Sequence, residues 1–237
     1  MEEIAQSVVV ALSLLFGGGE ALWSIAALSI RISLTATLIA TLIALPLAAW
    51  IALVPFPGRA ALVAVLNALM GLPSVVVGLL VYLLLSRAGP FGQFGILFTP
   101  GAMVVAQTIL IAPLMTALAR QTLEDALAEF GDYLRSLRAG RLEVIATLLW
   151  EARLSLPVAL LAGFGRAAAE VGAVMIVGGN IDGVTRVMTT AIALETSKGE
   201  LALALGLGFL LVGDHPGGQC DRRRAAWLRV AASWMRP

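Results

Sequence analysis

The sequence predicts an all-α, polytopic membrane protein, and two observations carry that prediction. Of the 237 residues, 59% are hydrophobic and 13% are charged, whereas soluble domains average about 45–50% apolar and about 25% charged residues. The apolar residues also form long runs, and about 20 of them suffice for a helix to cross about 30 Å of hydrocarbon. We therefore expect about five transmembrane helices, with one amphipathic segment between the third and the fourth.

Five runs are predicted to span the membrane, namely 28–54, 61–85, 101–119, 157–177 and 201–212. They define one transmembrane domain over 21–212. The first 20 residues carry Glu2 and Glu3 where a secretory signal carries basic residues, and their apolar run is too short to span. We expect 1–20 to be a retained interfacial segment.

The composition changes after Val212. The tail 213–237 holds the only histidine, the only cysteine and two of the five tryptophans. It also limits the fifth span to 12 residues, or about 18 Å of helix, which is shorter than the hydrocarbon. Either this helix gains length from 187–194, or a shifted reading frame has replaced its continuation. A genuine tail would place a basic helix on the inner membrane surface.

Arginine placement predicts the orientation. If 120–155 is cytoplasmic, the inner side holds eleven arginines, at positions 59, 120, 135, 138, 141, 153, 222, 223, 224, 229 and 236. The outer side holds Arg87, Arg186 and Lys198. Because basic residues concentrate on the cytoplasmic side of membrane proteins, the N-terminus is expected outside and the C-terminus inside.

Several kinds of chemistry lack the residues they need. One cysteine, Cys220, and one histidine, His215, provide neither a disulfide nor a spaced metal-ligand set. The only lysine, Lys198, lies in TSKGE without the glycine-rich loop that binds ATP phosphates. We expect no metal, no bound cofactor and no enzymatic activity in this chain, and we expect a transport role instead.

One ion pair is predicted inside the membrane. Arg166 and Glu170 lie near the centre of the fourth predicted span, four residues apart and therefore on one helical face. A lone charge at that depth costs roughly 2.5–3.5 kcal/mol or more, so the two are expected to pair. Two interpretations stay open: a structural pair that holds helices together, or the lining of a water-accessible path for an anion.

Two other stretches suggest movement or docking. In the second span, Pro73 is expected within the helix body, between Gly71 and Gly78, where it would make a packing kink or a gate. The glycine-rich loop 178–186 is a candidate for an external docking or lid segment.

The charged segment 120–155 keeps apolar residues at helical spacing, so short amphipathic helices are expected outside the bilayer. Its apolar stripe consists of Tyr133, Leu134, Leu137 and Leu142. Arginines surround the stripe, which would suit docking into a groove of a separate motor protein. The alternative is a linker that lies on anionic lipid headgroups.

Three stretches together carry a resemblance to a known family. LPSVVVGLLVYLLLSRAGPFG, GRAAAEVGAVMIVGGNIDG and TRVMTTAIALETSKGE resemble the permease subunits of type I ATP-binding-cassette (ABC) importers that handle tungstate, molybdate and sulfate. The last two stretches are most similar to the tungstate members. The resemblance covers roughly 20–212.

The resemblance implies a homodimer in a bacterial or archaeal plasma membrane, with no nucleic-acid partner. Two cytoplasmic subunits would use the ATP, and an extracytoplasmic protein would deliver the oxyanion. It also implies a coupling helix, marked in the family by E-A-A, three residues and glycine. The corresponding residues here are Asp132, Tyr133, Leu134 and Arg138, none of which matches. We keep the assignment for 132–140, which includes Leu137 and Gly140, and call it the coupling segment.

The expected cargo is a tetrahedral oxyanion, with tungstate first and molybdate or sulfate as alternatives. A dianion needs a hydrated path with hydrogen-bond donors. The candidates are Ser74, Thr189, Thr190 and Arg166. The rival from another class is a self-contained channel or secondary carrier, in which Arg166 and Glu170 would relay protons or ions.

Overall fold

The computed structural model describes residues 20–138, 140–200, 204–208 and 211. These residues contain helices and turns but no strand, which confirms the all-α class. In chain order the helices are α1 (Glu20–Leu53), α2 (Arg59–Met70), α3 (Ser74–Leu85), α4 (Pro100–Ser136), α5 (Arg141–Glu151), α6 (Leu156–Ala168), α7 (Gly172–Gly178) and α8 (Met188–Lys198). The expected interfacial segment, except Glu20, and the tail 213–237 lie outside the described residues. Of the fifth expected span, 204–208 and 211 are described and are helical.

Two of the described helices, α1 and α4, are long and apolar enough to cross a membrane alone. Two bent pairs meet the same criterion only when each pair is taken together. They are α2 with α3, whose axes differ by 99°, and Glu143–Leu154 with α6, at 64°. The polytopic membrane character is confirmed, whereas the number of five spans stays a prediction.

The helix expected over 61–85 is two helices. The prediction that Pro73 lies within a helix body is wrong. Pro73 is the last residue before α3 and has an extended backbone. Proline lacks the N–H of a helical hydrogen bond and disfavours helix at the preceding residue. Gly71 ends α2, and its N–H reaches the carbonyl oxygens of Ala68 and Leu69. The chain therefore breaks at this point instead of bending within one helix.

The third expected span is longer than predicted, because α4 continues for 17 residues past position 119 and reaches Ser136. The short helices predicted for 120–155 are therefore wrong over their first part. Leu123 and Leu134 are buried against the C-terminal end of α1 and against Leu148 of α5. This contact gives the extension of α4 a buried apolar face, which keeps it helical.

The fourth expected span is also interrupted. Helix α6 ends at Ala168, three non-helical residues follow, and α7 begins at Gly172. Both helices pack on α4, which therefore supports the two sides of the interruption.

Small residues bring α1 close to α4. Ala36, Ala40 and Ala44 are fully buried and lie in one cluster with Ile111 and Met115 of α4. Alanine at every fourth position leaves a flat stripe on which a second helix packs at short range, as in many membrane helix pairs. The hydroxyl of Thr108 donates to the carbonyl oxygen of Ala36 at 3.4 Å, which aligns the two helices in depth.

Gly78 marks a close approach between α3 and α7. A Cβ at this position would lie 2.7 Å from the Cα of Ala173 and 3.2 Å from its carbonyl oxygen. Real Cβ atoms do not approach backbone atoms so closely, so the two helices would have to separate. The sequence predicted Gly78 as part of a kink or gate, and the structure gives it a packing role.

Gly78→Ala is expected to destabilise the protein by about 1–3 kcal/mol, because an added methyl group overpacks this contact. The measurement is the thermal unfolding midpoint of the purified protein in detergent. Gly208→Ala is the matched control, since a Cβ there meets no atom within 4 Å. Equal midpoints for the two variants would contradict the close approach.

Candidate functional site

The interruption between α6 and α7 holds a buried carboxylate. Glu170 lies in this interruption and not on a helix, so the expectation that it shares a helical face with Arg166 is wrong. The predicted pair nevertheless forms: Arg166 Nη1 donates to Glu170 Oε2 at 2.7 Å. The Glu170 side chain is 2% exposed, whereas that of Arg166 is 40% exposed. The guanidinium of Arg166 therefore pairs with a buried carboxylate while part of its own side chain stays at the protein surface.

The second carboxylate oxygen is occupied as well. The backbone N–H of Ala173, in the first turn of α7, donates to Glu170 Oε1 at 3.1 Å. The first N–H groups of a helix have no partner within the helix, so a carboxylate beside them is favourable. Glu170 is thus held both by a guanidinium and by the beginning of α7.

The backbone around the interruption is satisfied by other helices. Gln107 of α4 donates from Nε2 to the carbonyl oxygen of Ala167 at 2.9 Å. Thr189 of α8 donates from its hydroxyl to the carbonyl oxygen of Glu170 at 2.8 Å. Buried carbonyl groups without partners are costly in a membrane, so these two side chains make the interruption possible. The buried Oε1 of Gln107 has no hydrogen-bond partner among the described residues.

The depth of the site follows from Gln107. It lies seven residues from Pro100, so the site is about 10 Å from the beginning of α4. By the same rise of helix, the charged residue Glu124 is about 36 Å from that beginning. The pair was expected at the centre of the fourth span, and the structure places it nearer to the end at which α4 begins.

The break between α2 and α3 adjoins the same site. Ser74 is the first residue of α3. A Cβ on Gly172, the first residue of α7, would lie 3.0 Å from the Ser74 hydroxyl oxygen and 2.8 Å from Cγ2 of Val75. The beginnings of two half-length helices therefore meet beside the ion pair. The structure brings together four of the predicted residues: Arg166, Glu170, Ser74 and Thr189.

Thr190 has a different position. Its hydroxyl donates to the carbonyl oxygen of Val187 and accepts from the N–H of the same residue, both at 3.1 Å. Thr190 is fully buried, so its side chain caps the beginning of α8. The neighbouring loop 178–186 is ordered by Thr185, whose hydroxyl donates to the Gly178 carbonyl oxygen at 2.6 Å and accepts from the Ile181 N–H at 3.0 Å.

The coupling segment forms the end of α4 and the turn into α5. Asp132, Tyr133 and Leu134 lie in the last turns of α4, and Gly140 precedes α5, where its N–H donates to Glu143 Oε2 at 2.8 Å. The predicted apolar stripe divides. Leu134 is buried, so its predicted role in docking is wrong, whereas Tyr133 and Leu137 are 64% and 59% exposed. The side chain of Leu142 lies outside the described residues.

Arg138 occupies the position that corresponds to the glycine of the family pattern. Its φ is 52°, in the left-handed region that glycine adopts easily and other residues rarely adopt. The backbone thus keeps the conformation that a glycine would favour, although the residue has changed.

A cleft of about 300 Å³ separates the coupling segment from the end of α1. Its walls include Leu53, Pro55, Leu127, Leu134 and Val144. Its walls are mostly apolar, and they include Leu134 and Arg135, which follow the exposed Tyr133 in the sequence.

Sequence reasoning missed Gln107 and the charged cluster of Arg59, Arg120 and Glu124. Gln107 is the one residue with an amide side chain in the apolar run 101–119, which was a usable signal. No group of three or more histidine, cysteine, aspartate or glutamate side chains could hold a metal within the described part of the chain. The absence of a metal site stays a prediction.

Removal of the Arg166 charge is expected to lower the free energy of unfolding more than removal of the Glu170 charge. Arg166→Gln leaves a fully buried carboxylate without its cation, which costs about 3–5 kcal/mol. Glu170→Gln leaves a half-exposed guanidinium that reaches water, so its cost is smaller. The measurement is the unfolding midpoint of each variant in detergent, with the double variant expected between them. A larger loss in Glu170→Gln would contradict this arrangement.

Comparison of the sequence with known proteins places the chain in a family. No protein-family model matches the chain. It is 40% identical over 212 residues to a tungstate uptake system permease protein of Peptoclostridium acidaminophilum, covering 90% of this chain and 93% of that protein. It is 38% identical to a probable anion ABC transporter permease protein of Haloferax volcanii, covering 80% and 84%. It is 32% identical to a molybdenum transport system permease protein of Escherichia coli, covering 78% and 91%.

The match to the first of these relatives covers 90% of this chain and therefore includes both helix breaks and the coupling segment. The resemblance noted in the sequence is thereby confirmed. The chain belongs to the family of anion ABC transporter permease proteins.

Proposed function

We propose that this chain forms the translocation path of an ATP-driven importer for tungstate. The observation that carries the proposal is the Arg166–Glu170 pair. It is held where the half-length helices α3 and α7 begin, and its arginine side chain is partly exposed. The relative in Peptoclostridium acidaminophilum is a tungstate uptake permease, which favours tungstate as the cargo.

The pair suits a path that an anion must enter and leave. A free guanidinium would bind a dianion tightly and retain it, whereas conduction needs attraction that stays weak. Glu170 offsets the charge of Arg166, and its burial keeps the carboxylate away from the passing anion. The half-exposed Arg166 and Ser74 then provide the donors. The hydroxyls of Thr189 and Thr190 are engaged within the protein, so these two residues support the path from behind.

A second copy of the chain completes the path. Helix α2 is exposed over most of its surface, and Asn67 is one of its exposed residues. An amide in a membrane helix needs a hydrogen-bonding partner, and an amide that faces its own copy supplies both donor and acceptor. This favours a homodimer in which the two α2 helices lie near the symmetry axis.

ATP is used by separate subunits, which dock on the coupling segment. Tyr133 and Leu137 present an exposed apolar pair at the end of α4, and Arg135 lies between them in the sequence. In this arrangement the coupling segment is cytoplasmic, the N-terminus is outside, and an extracytoplasmic protein delivers the anion. The chain binds no cofactor and has no enzymatic activity of its own.

Tungstate uptake by proteoliposomes tests the function. The permease is reconstituted with its ATPase subunits, and the binding protein is added with labelled tungstate. Uptake is expected only with ATP, and excess unlabelled tungstate should compete better than molybdate or sulfate. Uptake without ATP or without the ATPase subunits would instead favour a self-contained carrier. Stronger competition by molybdate or sulfate would reassign the cargo.

Docking is tested by the double variant Tyr133→Ala and Leu137→Ala. Loss of two exposed apolar anchors is expected to weaken binding of the ATPase subunit by about tenfold or more. Binding is measured with the purified subunit on permease in nanodiscs. Leu42→Ala, which removes a 76% exposed apolar side chain on α1, is the control and should bind normally. Unchanged affinity in the double variant would exclude these residues from the interface.

A further inference from the structure

A cluster of three charges joins α1, α2 and α4 at the inner end of the bundle. Glu124 of α4 accepts hydrogen bonds from Arg59 on Oε1 and from Arg120 on Oε2. Arg59 also donates from Nε to the carbonyl oxygen of Ile51 at 2.7 Å. One carboxylate and one guanidinium therefore connect three helices.

The geometry makes this cluster different from an ordinary surface ion pair. All three side chains are partly shielded, with Arg120 the most buried, so solvent weakens their attraction less than at an open surface. Arg59 reaches the last turn of α1, where carbonyl groups lack helical partners and attract cations. Without the Glu124 charge, two guanidinium groups would face each other.

The cluster connects two elements that the transport cycle must link. Glu124 precedes Asp132 of the coupling segment by eight residues, or about 12 Å, on the uninterrupted helix α4. Arg59 is the first residue of α2, which leads through the break at Pro73 to Ser74. Ser74 in turn lies against Gly172 at the ion pair.

Helix α4 also reaches the ion pair directly. Gln107 on the same helix holds the Ala167 carbonyl oxygen, which is on the α6 side of the site. Helix α3 packs on α4 and α7 near the site, whereas α2 is held to α4 beside the coupling segment by Arg59–Glu124, the ion pair that joins these two helices among the described residues. Loss of this contact would therefore remove the charged link through which movement of α4 reaches the beginning of α2.

We propose that Glu124 is a positioning residue that transmits movement of the coupling segment through Arg59 to α2 and α3. This inference rests on the proposed function. Its specific consequence is uncoupling: without the Glu124 charge, the ATPase subunits still dock and hydrolyse ATP, but less of the movement of the coupling segment reaches α2 and α3.

The test measures tungstate uptake and ATP hydrolysis in the same proteoliposomes of the complete complex. In Glu124→Gln we expect the uptake per ATP to fall about tenfold, the scale of a lost charge-assisted hydrogen bond, while ATP hydrolysis stays near the wild-type rate. Arg59→Gln should give the same result, and Glu124→Asp should restore part of the ratio. Asp125→Asn is the matched control, because Asp125 is exposed, adjacent and outside the ion pairs of the described residues.

Each outcome decides the proposal. An unchanged ratio in both Glu124→Gln and Arg59→Gln would overturn it, as would an equal fall in Asp125→Asn. Parallel loss of ATP hydrolysis and uptake in both variants would also overturn it, because the cluster would then only hold the fold together. Absence of ATP-dependent uptake in the wild-type complex would contradict the proposed function and not this inference.

Discussion

The buried carboxylate of Glu170 is the constraint on which the rest of the site depends. A charge that is almost fully buried in an apolar bundle is stable only if it is paired and hydrogen-bonded. Arg166, the Ala173 N–H and the hydroxyl of Thr189 on the adjoining carbonyl meet that requirement. They come from α6, α7 and α8, so the fold has to bring three helices to one residue.

That requirement explains the broken helices. A continuous helix over 156–178 would satisfy its own backbone and leave no free N–H for the carboxylate. The interruption releases such a group at the beginning of α7, and Gln107 compensates the released carbonyl of Ala167. The second break, at Pro73, brings the beginning of α3 to the same place. Helix α4 continues from this site to the coupling segment, with Pro113 inside it, which gives a motor outside the membrane a continuous helical connection to the site.

Sequence reasoning found the chemistry of the site more easily than its shape. The pairing of Arg166 and Glu170 was predictable, because charges in an apolar run need partners. The interruption that holds Glu170 was not, because alanine and glycine are compatible with a helix there and the cause lies in contacts with α4 and α8. Pro73 signalled a disturbance, but whether a proline bends a helix or ends it depends on what surrounds it.

The coupling segment shows the same division. Helical spacing grouped Leu134 with Tyr133 and Leu137, yet only packing against α1 and α5 shows that Leu134 is internal while the other two side chains are exposed. Arg138 does not match the glycine of the family pattern, although its positive φ is one that glycine adopts easily. Gln107 was visible as a polar residue in an apolar run, but its partner is 60 residues away and required the structure.

The most direct test of the account is the reaction of single cysteines with a membrane-impermeant thiol reagent in a Cys220→Ser background. Val171→Cys lies beside Glu170 at an exposed position of the interruption, and Leu38→Cys lies on the exposed face of α1. The two are at similar depth, because Thr108, next to Gln107, bonds to Ala36. The account predicts that Val171→Cys reacts from water, that tungstate and ATP change its rate, and that Leu38→Cys stays unreactive. Equal lack of reaction at both positions would contradict a path at the broken helices.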